Sequence, residues 1–236
     1  MWRSAVTVLA PLAARYTGPR VEIPPEPDGI VRAMPVILRL GRPPAARTPV
    51  LEAAARAALA VCLDPRAAEG GEWHDAVTTW IGSRIRKIAR RARGAHWAAV
   101  QELPGVTVDV DGAQARALLP GPVDDVPKVV GRLQIGGTDL PDDEPGPPGA
   151  GVPVIWVNGA LGMTVGKAAA QVGHASMLDA AARGLDVVPP YAVRSAPPAR
   201  WAELCRAAER REAVAVRDAG FTEVAPGTIT AITTCA

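Results

Sequence analysis

Lysine is scarce in this 236-residue chain, which has only Lys87, Lys128 and Lys167, and cysteine is equally so. Cys62, Cys205 and Cys235 are odd in number, widely separated and outside any C-x-x-C or Cys/His pattern. That spacing excludes a disulfide framework and a structural zinc site, and fits a reducing, cytoplasmic location. Long apolar runs are missing too: nothing approaches the ~18 residues of a membrane span. The opening MWRSAVTVLAPLAAR imitates a signal peptide only thinly, since Pro11 interrupts its apolar run after a single arginine. An excess of one charge is also absent, with 26 basic against 24 acidic residues. Attraction to a polyanion must therefore come from local patches and not from the global field.

What is present has a clear order. Residues 1–34 end in a Pro/Gly-crowded stretch without periodicity and read as an extended leader. Val36–Leu40 alternates like a short strand. Thr48-Pro49 supplies an N-cap and first helical residue for LEAAARAALAVCL, which Asp64-Pro65 ends. The recurrence of Val77, Ile81, Ile85, Ile88 and Ala92 predicts a second helix from about Trp73–Asp75 to Gly94. Its opposite face would carry Arg84, Arg86, Lys87, Arg90, Arg91 and Arg93, with no acid from Ala76 to Gln101. Asp111-Gly112 between two apolar segments marks a type I′ hairpin, and a short helix is expected in VDDVPKVVGRLQ. Residues 35–140 thus read as an amino-terminal α+β domain with a basic helix.

Residues 141–151, PDDEPGPPGAG, are a stiff linker and the expected domain boundary. Beyond them, strands at Val152–Val157, Tyr191–Ser195, Ala213–Arg217 and Thr228–Thr233 alternate with helices over about 163–183 and 198–210. Such alternation argues for a small α/β sheet with flanking helices.

The chemistry concentrates in GMTVGKAAAQVGHASM, residues 162–177. A P-loop is excluded, because Leu161 stands where its first glycine belongs and Ala168 where its hydroxyl belongs. Lys167, Gln171, His174 and Leu178 fall on one helical stripe, and the surrounding alanines allow close packing on a sheet. A lysine in a helix's first turn opposes the macrodipole, which favours a ligand-facing role. His174, alone among small residues, reads as structural or supporting. Asp218 follows a strand, and Ala219-Gly220 turns the chain toward Thr222. Parallel strands would bring this group to the rim where the Lys167 helix begins.

Two blocks, Gly166-Lys167-x-Ala169-Ala170-Gln171-x-x-His174-Ala175 and Asp218-Ala219-Gly220-x-Thr222-x-x-Ala225-Pro226-Gly227-Thr228, resemble the second family of peptidyl-tRNA hydrolases, the archaeal and eukaryotic type also found in actinobacteria. The resemblance covers about residues 152–236. It implies an α/β fold with a mixed four-stranded sheet, and hydrolysis of the ester between a peptide and the 3′-terminal ribose of tRNA. Carried over position by position, Lys167, Asp218 and Thr222 form the catalytic set. Gln171, His174, Gly166 and Gly220 support the substrate, and Arg86, Arg90 and Arg91 are candidates to hold tRNA phosphates. No metal or organic cofactor is required. The implied partner is tRNA, with a homodimer as an option and no membrane. Basic and acidic residues usual in the family's surroundings are replaced by Asn158, Ala160, Gly162, Val165, Phe221 and Glu223. The alternative those replacements support is a catalytically silent module that keeps the fold and binds RNA or protein.

Overall fold

The computed structural model describes residues 8–17, 26, 28–218 and 224–234. It is a mixed α/β protein with two mixed sheets and flanking helices. The first sheet contains β1 (Arg32–Arg39), β2 (Arg86–Ala92), β3 (Gly105–Val110) and β4 (Ala113–Leu118), with the two-residue β5 (Gly121–Pro122) beside β1. The second contains β6 (Val154–Asn158), β7 (Ala192–Ala196), β8 (Val214–Arg217) and β9 (Ile229–Thr234).

The two sheets repeat one topology. Spatial order is β2-β1-β4-β3 in the first and β7-β6-β9-β8 in the second. In each, the first two strands are parallel and the remaining pairings antiparallel. The helices repeat as well. The first crossover is made by α2 (Arg47–Leu63) or α6 (Val165–Arg183), and the next connection by α4 (Gly94–Gln101) or α7 (Pro198–Glu209).

Side-chain alternation along the strands sets the layers. Met34, Val36 and Leu38 of β1 and Ile155 and Val157 of β6 face a central layer that holds α2 and α6, in one apolar core shared by both halves. Ile37 faces the other way, onto Trp97 and Val100 of α4. Ile232 likewise packs against Leu204 of α7. Pro35 lies inside β1, yet its missing N–H costs no ladder bond, because β4 pairs with residues 36–38 and β5 with 32–33.

Helix α6 is capped at both ends. Thr164 Oγ1 accepts from Lys167 N at 3.2 Å, and Gly184 ends the helix in the left-handed conformation at φ 63°. Helix α2 starts at Arg47, with Ala46 as a cap that offers no side-chain bond, so Thr48 is not the N-cap. Its hydroxyl donates instead to Asp143 Oδ1 at 2.8 Å.

The largest departure from the sequence reading lies at 73–94. A helix, α3 (His74–Gly82), ends at Ser83, and residues 86–92 form the parallel partner of β1. The basic face is therefore a strand, and its charges divide between two sheet faces. Val77, Ile81, Ile85, Ile88 and Ala92 keep a helical spacing across what is really a helix, a connection and a strand.

The leader is also partly folded. Helix α1 (Ala10–Thr17) follows Val8 and Leu9, which join Leu12 in the central core, and β1 begins at Arg32, inside the expected leader and ahead of the expected strand at Val36–Leu40. The Asp111-Gly112 hairpin is as expected, with φ 49° and 80°. The 141–151 stretch is pinned to both halves: Asp143 takes the Thr48 N–H at 3.0 Å and Gly146 O accepts from Arg194 Nη2 at 2.7 Å. Among the described residues no helix is long and apolar enough to cross a membrane.

Candidate active site

The site forms where the first turns of α6 meet the end of β8. Asp218 is fixed by its backbone before its side chain is considered. Its N–H donates to Thr228 O at 2.9 Å and its carbonyl accepts from Gly227 N at 2.7 Å, closing the base of the β8–β9 connection. Gly227, at φ 82°, takes the left-handed turn that this closure needs.

Onto that fixed carboxylate converge two side chains from α6. Lys167 Nζ donates to Asp218 Oδ2 at 2.5 Å, and Gln171 Nε2 donates to the same oxygen at 2.8 Å. One helical turn separates the two donors, so a single helix face delivers both. Thr230 on β9 then donates to Gln171 Oε1 at 2.5 Å. With its oxygen so occupied, the Gln171 amide must turn its NH₂ toward Asp218. Thr230 was not singled out in the sequence; its place in alternation on β9, facing α6, is the only signal it offered.

The ion pair is well enclosed, with the Lys167 and Asp218 side chains 9% and 7% exposed. Enclosure strengthens the attraction and makes loss of either partner costly, because a lone buried charge would remain.

His174, read from the sequence as structural or supporting, finds its partner outside the Asp218 group. Its Nδ1 lies 3.2 Å from Nζ of Lys87, which reaches across from β2 in the other half of the chain. Burial first, and then the nearby charges of Lys87 and Lys167, push the His174 pKa well below its ordinary value. A lysine ammonium only donates, so with Lys87 charged the contact makes Nδ1 the acceptor. Burial also pushes Lys87 down to about 7. Its ammonium sits 5.0 Å from the Trp80 ring centroid, a cation–π distance. Lysine scarcity, the signal that marks Lys167, marks Lys87 equally.

Gly166 packs toward the other half: a Cβ there would touch Ala89 Cβ at 3.6 Å and Ile135 O at 3.5 Å, ordinary contacts. Arg86 pairs with Glu26, Arg90 donates to Leu133 O at 2.9 Å, and Arg91 holds Gln134 and the Gly137 carbonyl. These three arginines are bound into their own half and do not form one basic helical face. Gly220 and Thr222 lie outside the described residues. No protein-family model, curated protein or solved structure matches this chain.

Proposed function

We propose that the carboxyl-terminal half hydrolyses the ester joining a peptide, or an N-blocked aminoacyl group, to the 3′-terminal ribose of tRNA. One observation carries this reading. Lys167 and Asp218, 51 residues apart, meet in an enclosed pair whose carboxylate is oriented by Gln171 and Thr230. Lys167 and Gln171 of the first resembling block thus meet Asp218 of the second.

In this mechanism the ester carbonyl takes the Lys167 ammonium from Asp218, and the released carboxylate accepts a proton from an attacking water. The water oxygen bonds to the carbonyl carbon, and Lys167 stabilises the oxyanion that develops. Collapse of the tetrahedral intermediate breaks the bond to the ribose oxygen, which takes the proton back from Asp218. Gln171, held by Thr230, keeps the carboxylate aimed while its ionic partner is away. Thr222 would hold the water or the ribose.

The test is release of an N-acetylated aminoacyl group from purified tRNA by the intact protein and by Lys167→Ala and Asp218→Ala variants. Turnover lost in both variants supports the reading. Mutual satisfaction of Lys167 and Asp218 in their enclosed pair favours the second reading, a silent binding module. An intact protein that retains tRNA without turnover would decide for that module.

A further inference from the structure

The halves share strand order, strand sense and the placement of both helices, which a chance similarity of one motif would not produce. Their central helices also start at the same end of the molecule, since Arg47 at the start of α2 donates to Met163 O, just before α6, at 2.9 Å. Aligning the helices at their first residues, Arg47 and Val165, places Ala55 at Gly173 and Ala58 at Ser176. The observed contacts then obey the rule of a two-fold interface, in which a contact from i to j recurs from j to i. A Cβ on Gly173 would meet Ala58 Cβ at 3.1 Å, and Ser176 Oγ donates to Ala55 O at 2.7 Å. Each helix also leans on the edge strand of the opposite sheet. Val193 N on β7 donates to Glu52 Oε1 of α2 at 3.0 Å, and Lys87 of β2 meets His174 of α6 at 3.2 Å.

The same alignment shows where the two halves differ. Pro49 stands at the place of Lys167, Ala53 at Gln171 and Arg56 at His174. The tight Asp111-Gly112 turn replaces the longer connection from Asp218 to Thr228. The cross-contact survives in both directions, for Arg56 Nη2 donates to Tyr191 O at 3.0 Å. The constellation survives in only one.

We propose that the amino-terminal half is a second copy of the carboxyl-terminal fold that has given up its own site and serves as a built-in partner, supplying Lys87 as the residue that positions His174. Gly173 is what admits the lysine, because a Cβ there would lie 3.1 Å from both Cδ and Cε of Lys87. The charged or titratable groups around the contact are Lys167 on α6, Lys87 on β2 and Cys62 on α2, whose thiol burial pushes up to about 12. Lys87 is a positioning residue: it fixes the imidazole's orientation and its accepting Nδ1. Any catalytic consequence rests on the hydrolase reading, whereas the contact itself does not.

The experiment is nitrogen NMR of the histidine rings in the full-length protein, titrated from pH 5 to 9, with His174 assigned by a His174→Gln variant. In the intact protein His174 should show an unprotonated, hydrogen-bonded Nδ1 and stay neutral throughout. In Lys87→Met, which keeps the apolar stem, the Nδ1 resonance should shift and the ring should take up its proton at higher pH, one repelling charge having gone. Gly173→Ala, which crowds the stem, should move the same resonance in a protein that still folds, and Lys87→Gln, which restores a donor, should return it part of the way. A His174 spectrum identical in the intact protein, Lys87→Met and Gly173→Ala would overturn the proposal. Absence of ester turnover in the intact protein would remove the hydrolase reading and leave this result to decide the role of Lys87.

Discussion

The amino- and carboxyl-terminal halves are built on one plan, and they differ most at the start of the central helix. In α6 that region is Thr164-Val-Gly-Lys167, a capped turn that exposes a cation to the end of β8. In α2 it is Arg47-Thr-Pro49, a turn sealed by the aspartates that follow the first sheet. The scaffold tolerates either ending, because strand order and core are set by apolar alternation elsewhere. The candidate site is therefore a local property of a few positions on a repeated frame, consistent with sites being grafted onto folds.

That contrast can be broken at several strengths. Lys167→Ala and Asp218→Ala should each reduce tRNA-ester hydrolysis by about 1,000-fold or more. Pro49→Ala and Asp111→Ala, the corresponding changes in the other half, should leave single-turnover rates within about two-fold, since neither position touches the reacting groups. Gln171→Leu keeps the volume but leaves Asp218 without its orienting amide. Its rate should fall by up to about 100-fold, the scale of a misplaced reacting group, with Thr230→Val showing a smaller loss in the same assay.

Stability offers a contrast between surfaces in place of sites. Gly173→Leu forces a side chain between α6, Ala58 and Lys87 and should cost about 1–3 kcal/mol by chemical denaturation. Gly136→Ala, where a Cβ meets nothing within 4 Å, should leave the midpoint unchanged.

A last contrast is read as a slope with pH. The Lys87 pKa is pushed from its ordinary 10.5 to about 7 in the folded protein, so between those values the unfolded chain binds more protons. Stability should rise with pH across that interval, and Lys87→Met should flatten the rise. A stability curve with the same slope in both proteins would show that the amine is not enclosed.

The two halves were also unequally legible. In the second, every strand and helix expected from the sequence falls within two residues of its place, with Pro153, Gly159, Gly184, Pro190 and Pro197 marking several of the ends. In the first, Ile85, Ile88 and Ala92 carry helical spacing through a strand, and only pairing with β1 resolves the ambiguity. The repeat is not legible in the sequence for a physical reason: what the copies share is backbone topology and small residues at the helix contact, while Lys167, Gln171 and His174 correspond to Pro49, Ala53 and Arg56. The meeting of Lys167 with Asp218 was readable from strand-end logic. The Thr230 and Lys87 contacts were not, since both depend on which face of a strand looks toward α6.

The segment from Asp142 to Gly146, tied at one end to the start of α2 and at the other to Arg194, has a consequence for how the halves meet. Two separate subunits find each other by diffusion, and the occupied fraction falls when the protein is dilute. Two halves joined by a short tethered segment meet at an effective concentration set by geometry alone, of millimolar order for short linkers. Formation of the Lys87–His174 contact is then a first-order event, indifferent to how many copies of the chain a cell contains.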